Sequence, residues 1–183
     1  MKPLPTLVTE RLVLRPFSVA DASMVEELAG ARAIADTTLN IPHPYPKGAG
    51  ALWIATHAQA FDNGEGITLA VCKSNETHRI VGAAGIGIVP AHARGELGYW
   101  IAEHEWGNGY ATESSRALID YAFSTLGLHR IQARHFTRNP SSGRVMQKLG
   151  MRFEGINREA FRKGNSFEDT ALYSILENEW RAP

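Results

Sequence analysis

The chain has 183 residues, with 19 Lys plus Arg balanced by 19 Asp plus Glu, so it carries no net charge. Nucleic-acid and anionic-membrane partners usually demand a basic surplus, which argues against both, and a hydrophobic content of 44% suits one compact domain over residues 1–183. A single cysteine, Cys72, excludes an intramolecular disulfide and a cysteine-based metal cluster. The opening "MKPLPTLVTERLVLRP" has charges and prolines where a signal peptide needs an apolar run, and "IVGAAGIGIVP" is too short and glycine-rich to span a bilayer. A cytoplasmic protein is expected.

In chain order, residues 11–17 alternate apolar and polar and read as a strand. A helix opens at Ser18, with Asp21 three residues on in a capping-box arrangement. "NIPHPYPKG" (40–48) is proline-dense loop, and a second helix runs through 50–61. Strands follow over 67–73, 79–89 and 94–102. Residues 110–126 carry small and apolar residues at three- and four-residue steps, a helix that Gly127 ends. Residues 129–137 form a strand, and Asn139 with Pro140 are a good N-cap and first residue for a helix closing at Gly150. Two strands joined at "KGNS" end the pattern. The order β-α-α-β-β-β-α-β-α-β-β implies a mixed α/β sheet, mostly antiparallel, with helices on both faces. The crossover from strand 94–102 through helix 110–126 to strand 129–137 should be parallel, with a binding crevice at its carboxyl end.

"EHEWGNGYATES" (103–114) sets Gly107, Gly109 and Ala111 at alternate positions just before a helix. Either the turn needs positive φ, or bare amides are kept clear for a phosphate at the helix N-terminus. Gly109-Tyr110-Ala111-Thr112 lacks the lysine of a P-loop, and the offsets fail the dinucleotide fingerprint.

The segment resembles the acetyl-coenzyme A motif Q/R-x-x-G-x-G/A of the GNAT superfamily, here Trp106-Gly107-Asn108-Gly109-Tyr110-Ala111. "TERLVLRPFSVADA", "GYWI", "RNPSSGRVMQKLGMRFEG" and "DTALYSILENEW" are similar, in order, to segments of RimJ/RimL-type N-acetyltransferases. Trp106 stands where the family pattern has Gln or Arg; its backbone should still serve the turn, its indole packing beside the cofactor or bracing the loop. The resemblance implies a GNAT fold and an acetyl-CoA-dependent N-acetyltransferase acting on a primary amine, either a protein N-terminus or a small molecule. A coenzyme A-binding sensor without catalysis is the rival.

By the same resemblance, the backbone of Tyr99, Trp100 and Ile101 would pair with pantetheine, and the amides of residues 107–112, from Gly107 to Thr112, would hold the pyrophosphate. Glu96, in "E-x-G-Y-W", would be the base, with Glu103 and Glu105 as rivals; a solvated strand-end carboxylate is the plainer reading. An Asn-x-x-Ser pattern matched by Asn139 and Ser142 assigns coenzyme A contact to the first and the departing thiol to the second. Helix capping and a backbone-bonded first-turn serine are their structural alternatives. His43 and Tyr45 in the proline loop would border the amine, or merely connect elements. His43, His57, His92, His104, His129 and His135 show no metal-ligand spacing, and no metal is expected. The terminal strands could pair in a homodimer.

Overall fold

Central strands apolar on both faces, such as Gly66–Lys73 and Ile80–Val89, build one sheet. The structure, a computed structural model, describes residues 3–180. Its strands are β1 (Leu7–Val8), β2 (Leu12–Arg15), β3 (Gly66–Lys73), β4 (Ile80–Val89), β5 (Arg94–Ile101), β6 (Arg130–Phe136), β7 (Arg152–Lys163) and β8 (Ser166–Leu176). They lie in the order β1-β2-β3-β4-β5-β6-β8-β7, antiparallel throughout except for the parallel pair β5–β6. The helices are α1 (Ala22–Ala29), α2 (Arg32–Thr37), α3 (Ala49–Asp62), α4 (Tyr110–Ser124), α5 (Pro140–Lys148) and the single turn α6 (Glu177–Trp180).

Period two decides which face each side chain serves. Val25, Ala29, Ile34 and Ile54 of the first three helices pack with Ala70, Cys72, Ala83 and Trp100. Leu118, Ile119, Ala122 and Met146 of α4 and α5 pack with Val71, Ala84, Leu97, Ile101 and Ala133 on the other face. Neighbours in sequence, such as Trp100 and Ile101, therefore point into different cores. Leu118 and Ile119 have no exposed surface, and burial of this kind stabilises by about 1.5–3 kcal/mol per side chain.

The mixed sheet, the parallel crossover β5–α4–β6 and helices on both faces agree with the sequence. Three short elements, β1, α2 and α6, were not legible, because two to six residues are too few to display a period. The first helix also starts differently, as a 3-10 turn over Val19–Asp21 that runs into α1. Asp21 accepts the Ser18 N–H at 2.8 Å, as a capping box requires, and both Arg15 terminal nitrogens at 2.8 Å. Cys72 is fully buried in β3, an inert packing residue.

One irregularity of the sheet positions everything that follows. β5 pairs with β6 only from Arg94 to Leu97, against Arg130 to Ala133. Beyond that point β5 stays with β4 as far as Ile101, and β6 stays with β8 as far as Phe136. The sheet splits there into a cleft at the carboxyl end of the parallel pair, where the sequence puts the crevice.

Candidate active site

The cleft has a volume of about 950 Å³ and passes between the two halves of the sheet. One bank carries Tyr110, Ala111 and Thr112 of α4 with Asn139 and Ser142 at the head of α5. The other carries Val25, Ile34, Tyr45, Trp53 and His57. Tyr99, Trp100 and Ile101 form its β5 edge. The Ala102 N–H donates to Val81 O at 2.8 Å, so alternation turns the Trp100 amide toward β4 and leaves those of Tyr99 and Ile101 facing the split. Of the three residues with candidate backbone partners, two therefore offer a free edge.

The loop before α4 answers both readings of its glycines. Gly107 and Gly109 have φ of 83° and 81°, which only glycine adopts cheaply. The first bond closing this end of the helix is Glu113 N–H to Gly109 O at 3.1 Å, and no side chain caps the helix. The leading amides of α4 therefore lack intrahelical partners at the positive end of its dipole.

Distant residues hold this loop. The Arg11 guanidinium donates to Asn108 O at 3.0 Å and pairs with Glu113 at 2.6 Å, lying over the Tyr110 ring. Burial alone would raise the Glu113 pKa, but hydrogen bonds from Thr9 and Arg11 hold it below the ordinary carboxylate value. Glu105 pairs with Lys73 of β3 and accepts the Asn108 side-chain amide at 3.3 Å. The rival base Glu105 is thus a brace, and Glu103 lies exposed in the same 3-10 turn. Asn108 turns its side chain toward Glu105 and does not border the cleft, unlike Gly107 and Gly109. Trp106 braces the loop: its indole N–H donates to Ile101 O at 2.6 Å while the ring stays 48% exposed.

On the α4–α5 face, the Tyr99 and Ser142 hydroxyl oxygens lie 2.7 Å apart. Burial pushes the Tyr99 phenol up to about 12 against the opposing pull of that hydrogen bond, so it keeps its proton at neutral pH. Asn139 is the N-cap, accepting the Ser142 N–H at 3.4 Å, and it also borders the cleft. On the opposite face, Glu96 Oε2 accepts Arg134 Nη2 at 2.7 Å and Gln132 Nε2 at 3.0 Å. That clamp spans the last rungs of the parallel pair.

Tyr45 borders the cleft, where burial raises its pKa, whereas His43 turns outward and its Nδ1 lies 2.7 Å from Gly30 O. The structure adds residues that the sequence did not single out. Arg144 and Lys148 border the cleft from α5, and their four-residue spacing after the Asn139–Pro140 start would have placed them on one helix face. Lys163 reaches from β7 to Leu39 O and Ile41 O at 3.2 and 3.1 Å, tying the far hairpin to the loop over the acceptor bank. Among the described residues no cluster of three metal-ligating side chains occurs, and no helix is long and apolar enough to cross a membrane.

This arrangement can be set beside known proteins. The family described as Acetyltransferase (GNAT) domain matches residues 11–152. The chain belongs to the GNAT acetyltransferases. YoaA of Bacillus subtilis, described as an uncharacterized N-acetyltransferase, is 30% identical over 173 residues, which are 94% of this chain and 97% of YoaA. Among solved structures, a GNAT-family acetyltransferase from Bacillus anthracis superposes with a TM-score of 0.85 at 26% identity, over 96% of this chain and all of that one. RimJ of Mycobacterium smegmatis, solved with a coenzyme A disulfide, shares the fold with a TM-score of 0.84 at 21% identity, over 98% of this chain and 89% of that one. The protein is accordingly a GNAT N-acetyltransferase, an enzyme whose structural neighbours include a RimJ.

Proposed function

We propose that the protein moves acetyl from acetyl-CoA to a primary amine by direct attack, without an acyl-enzyme. The observation that carries this reading is the split between β5 and β6, which leaves a free amide edge between a thiol-side pair, Tyr99 and Ser142, and an amine-side carboxylate, Glu96. Coenzyme A fits the remaining features. Its pantetheine arm finds free backbone amides at Tyr99 and Ile101. Its pyrophosphate finds the amides of residues 107–112, with Arg144 and Lys148 supplying positive charge nearby.

The amine nitrogen attacks the thioester carbonyl carbon, and Glu96 takes the proton that the nitrogen gives up, directly or through a water. The oxyanion is held by a backbone N–H of the β5 edge. As the carbon–sulfur bond breaks, the thiolate takes the Ser142 hydroxyl proton, which Tyr99 replaces across their 2.7 Å contact; as the products leave, water returns a proton to Tyr99 and takes the one held by Glu96. The Arg134 and Gln132 bonds keep Glu96 aimed. A homodimer would use β7, the longer of the two edge strands, where Phe153 and Ile156 are 55% and 53% exposed.

The test is thiol release from acetyl-CoA with peptides bearing free N-termini, amino acids, polyamines and other small amines, repeated with Glu96→Gln and Ser142→Ala. Transfer to one amine class, lost in both variants, is expected. Tight coenzyme A binding with no transfer to any amine would favour the sensor instead.

A further inference from the structure

The acceptor bank holds a buried histidine that the chemistry above leaves idle. His57 is 6% exposed, yet neither of its ring nitrogens has a hydrogen-bond partner. The ring stands edge-on to Trp53, with centroids 4.4 Å apart, packs against Phe17 at 5.4 Å, and borders the cleft. Burial holds its pKa down to about 4, so at neutral pH it presents one N–H donor and one bare acceptor nitrogen. An unpaired buried polar group is costly, and an apolar ring would fill the same aromatic nest without that cost. The imidazole therefore fits a partner that arrives with the acceptor.

The floor of the same bank is sparse in side chains, with Thr68 Oγ1 beside Gly85. Gly85 faces Gly98 across β4 and β5, Gly87 faces Glu96, and all three glycines border the cleft. They point to the face of Ala83 and Trp100, the side of α1 and α3. A Cβ on Gly87 or Gly98 would meet nothing within 4 Å, and neither residue has positive φ. Neither packing nor backbone strain asks for glycine at these two positions; what their bareness leaves is room. Carboxylates are scarce here. Glu96 is held by Arg134 and Gln132, and Glu65 accepts the Asn63 side-chain amide at 3.1 Å.

We propose that this half of the cleft takes a monoamine on a flat apolar scaffold lying over Gly85, Gly87 and Gly98, and that His57 determines specificity by hydrogen-bonding a hydroxyl on that scaffold. The inference rests on the amine-acetylating reading above. A polycation, which needs several free carboxylates, is a poor fit.

The experiment measures kcat/KM at saturating acetyl-CoA for tyramine against phenethylamine and 5-hydroxytryptamine against tryptamine, with spermidine and a serine-led peptide amide alongside. The hydroxylated monoamine of each pair should lead by about 10-fold or more, the scale of a site built to hydrogen-bond its substrate. His57→Phe keeps the ring packing and should erase the lead, while His57→Gln should keep part of it. Gly98→Val should raise the acceptor KM with acetyl-CoA affinity unchanged. A lead that survives His57→Phe in a variant with a cooperative thermal melt would overturn the proposal. So would spermidine or the peptide outrunning all four monoamines, although amine transfer itself would then stand. Acetyl-CoA binding with no transfer to any amine would sink both readings together.

Discussion

Replacing Gly109 by alanine and by asparagine separates the two demands made on the loop before α4. The residue has φ of 81°, where an L side chain costs about 1–2 kcal/mol against the following carbonyl. A Cβ there would meet only the Arg11 guanidinium, at 3.5 Å, so packing adds little and strain sets the effect on the free protein. In a chain of 183 residues that strain lowers Tm by about 2–8 °C. Asparagine tolerates the left-handed region, so Gly109→Asn should recover much of the loss. Coenzyme A affinity should not follow Tm. Gly109 borders the cleft, and a side chain that crowds the bare amides should weaken binding in both variants by about 10-fold, or 1.4 kcal/mol. Thermal melts and titration calorimetry with coenzyme A read the two effects separately. An asparagine variant that regains Tm and affinity together would refute the bare-amide argument and leave glycine serving φ alone.

Ser142→Ala should lower kcat by about 10–100-fold with the acetyl-CoA KM little changed, and Tyr99→Phe should add little to it, because the two hydroxyls act in series; additive losses in the double variant would break that series. Glu96→Gln should lower kcat by about 10²-fold or more, and Arg134→Met, which frees the carboxylate from its clamp, by about 10-fold; an unchanged kcat in both would remove Glu96 from the chemistry. For His57, the folded pKa of about 4 lies below the unfolded value of about 6.5, so the unfolded chain binds the proton first as pH falls. Stability should therefore fall from about pH 6.5 towards 4, by up to about 3 kcal/mol, and His57→Phe should flatten that stretch; equal slopes from denaturant melts would refute the burial argument.

What could be read in the sequence was local. Glycine at positive φ, Asn139 before Pro140, and period two or 3.6 all act within a few residues, so the glycine turn before α4, the α5 cap and the strand–helix order were visible. The contacts that would carry chemistry span long separations. Tyr99 and Ser142 are 43 residues apart and Glu96 and Arg134 are 38 apart, and no periodicity reports such pairs. The motif marked Asn108 for its backbone amide, with no means of telling that its side chain would turn to Glu105, which Lys73 holds. His43 went the same way: "IPHPYP" announces a loop, but the Gly30 carbonyl that turns the ring outward belongs to another element. Nor could His57 be told from a satisfied core histidine, because being unpartnered is a property of the fold.

The register of β5 ties these strands of reasoning together. Its even positions, Glu96, Gly98 and Trp100, face the α1–α3 side, and its odd positions, Leu97, Tyr99 and Ile101, face α4 and α5. Amine-side and thiol-side groups therefore come from adjacent residues of one strand, kept apart by the sheet and meeting only where β6 departs. A slip of one residue would send Glu96 toward α5 and Tyr99 toward His57, exchanging the two chemistries. The fold guards against that slip at Gly82, where a Cβ would collide with the Trp100 carbonyl, so β4 can lie close to β5 only with glycine at that rung. Residues with no chemistry of their own thus decide on which side of the sheet the proposed base sits and on which the proposed thiol-side pair.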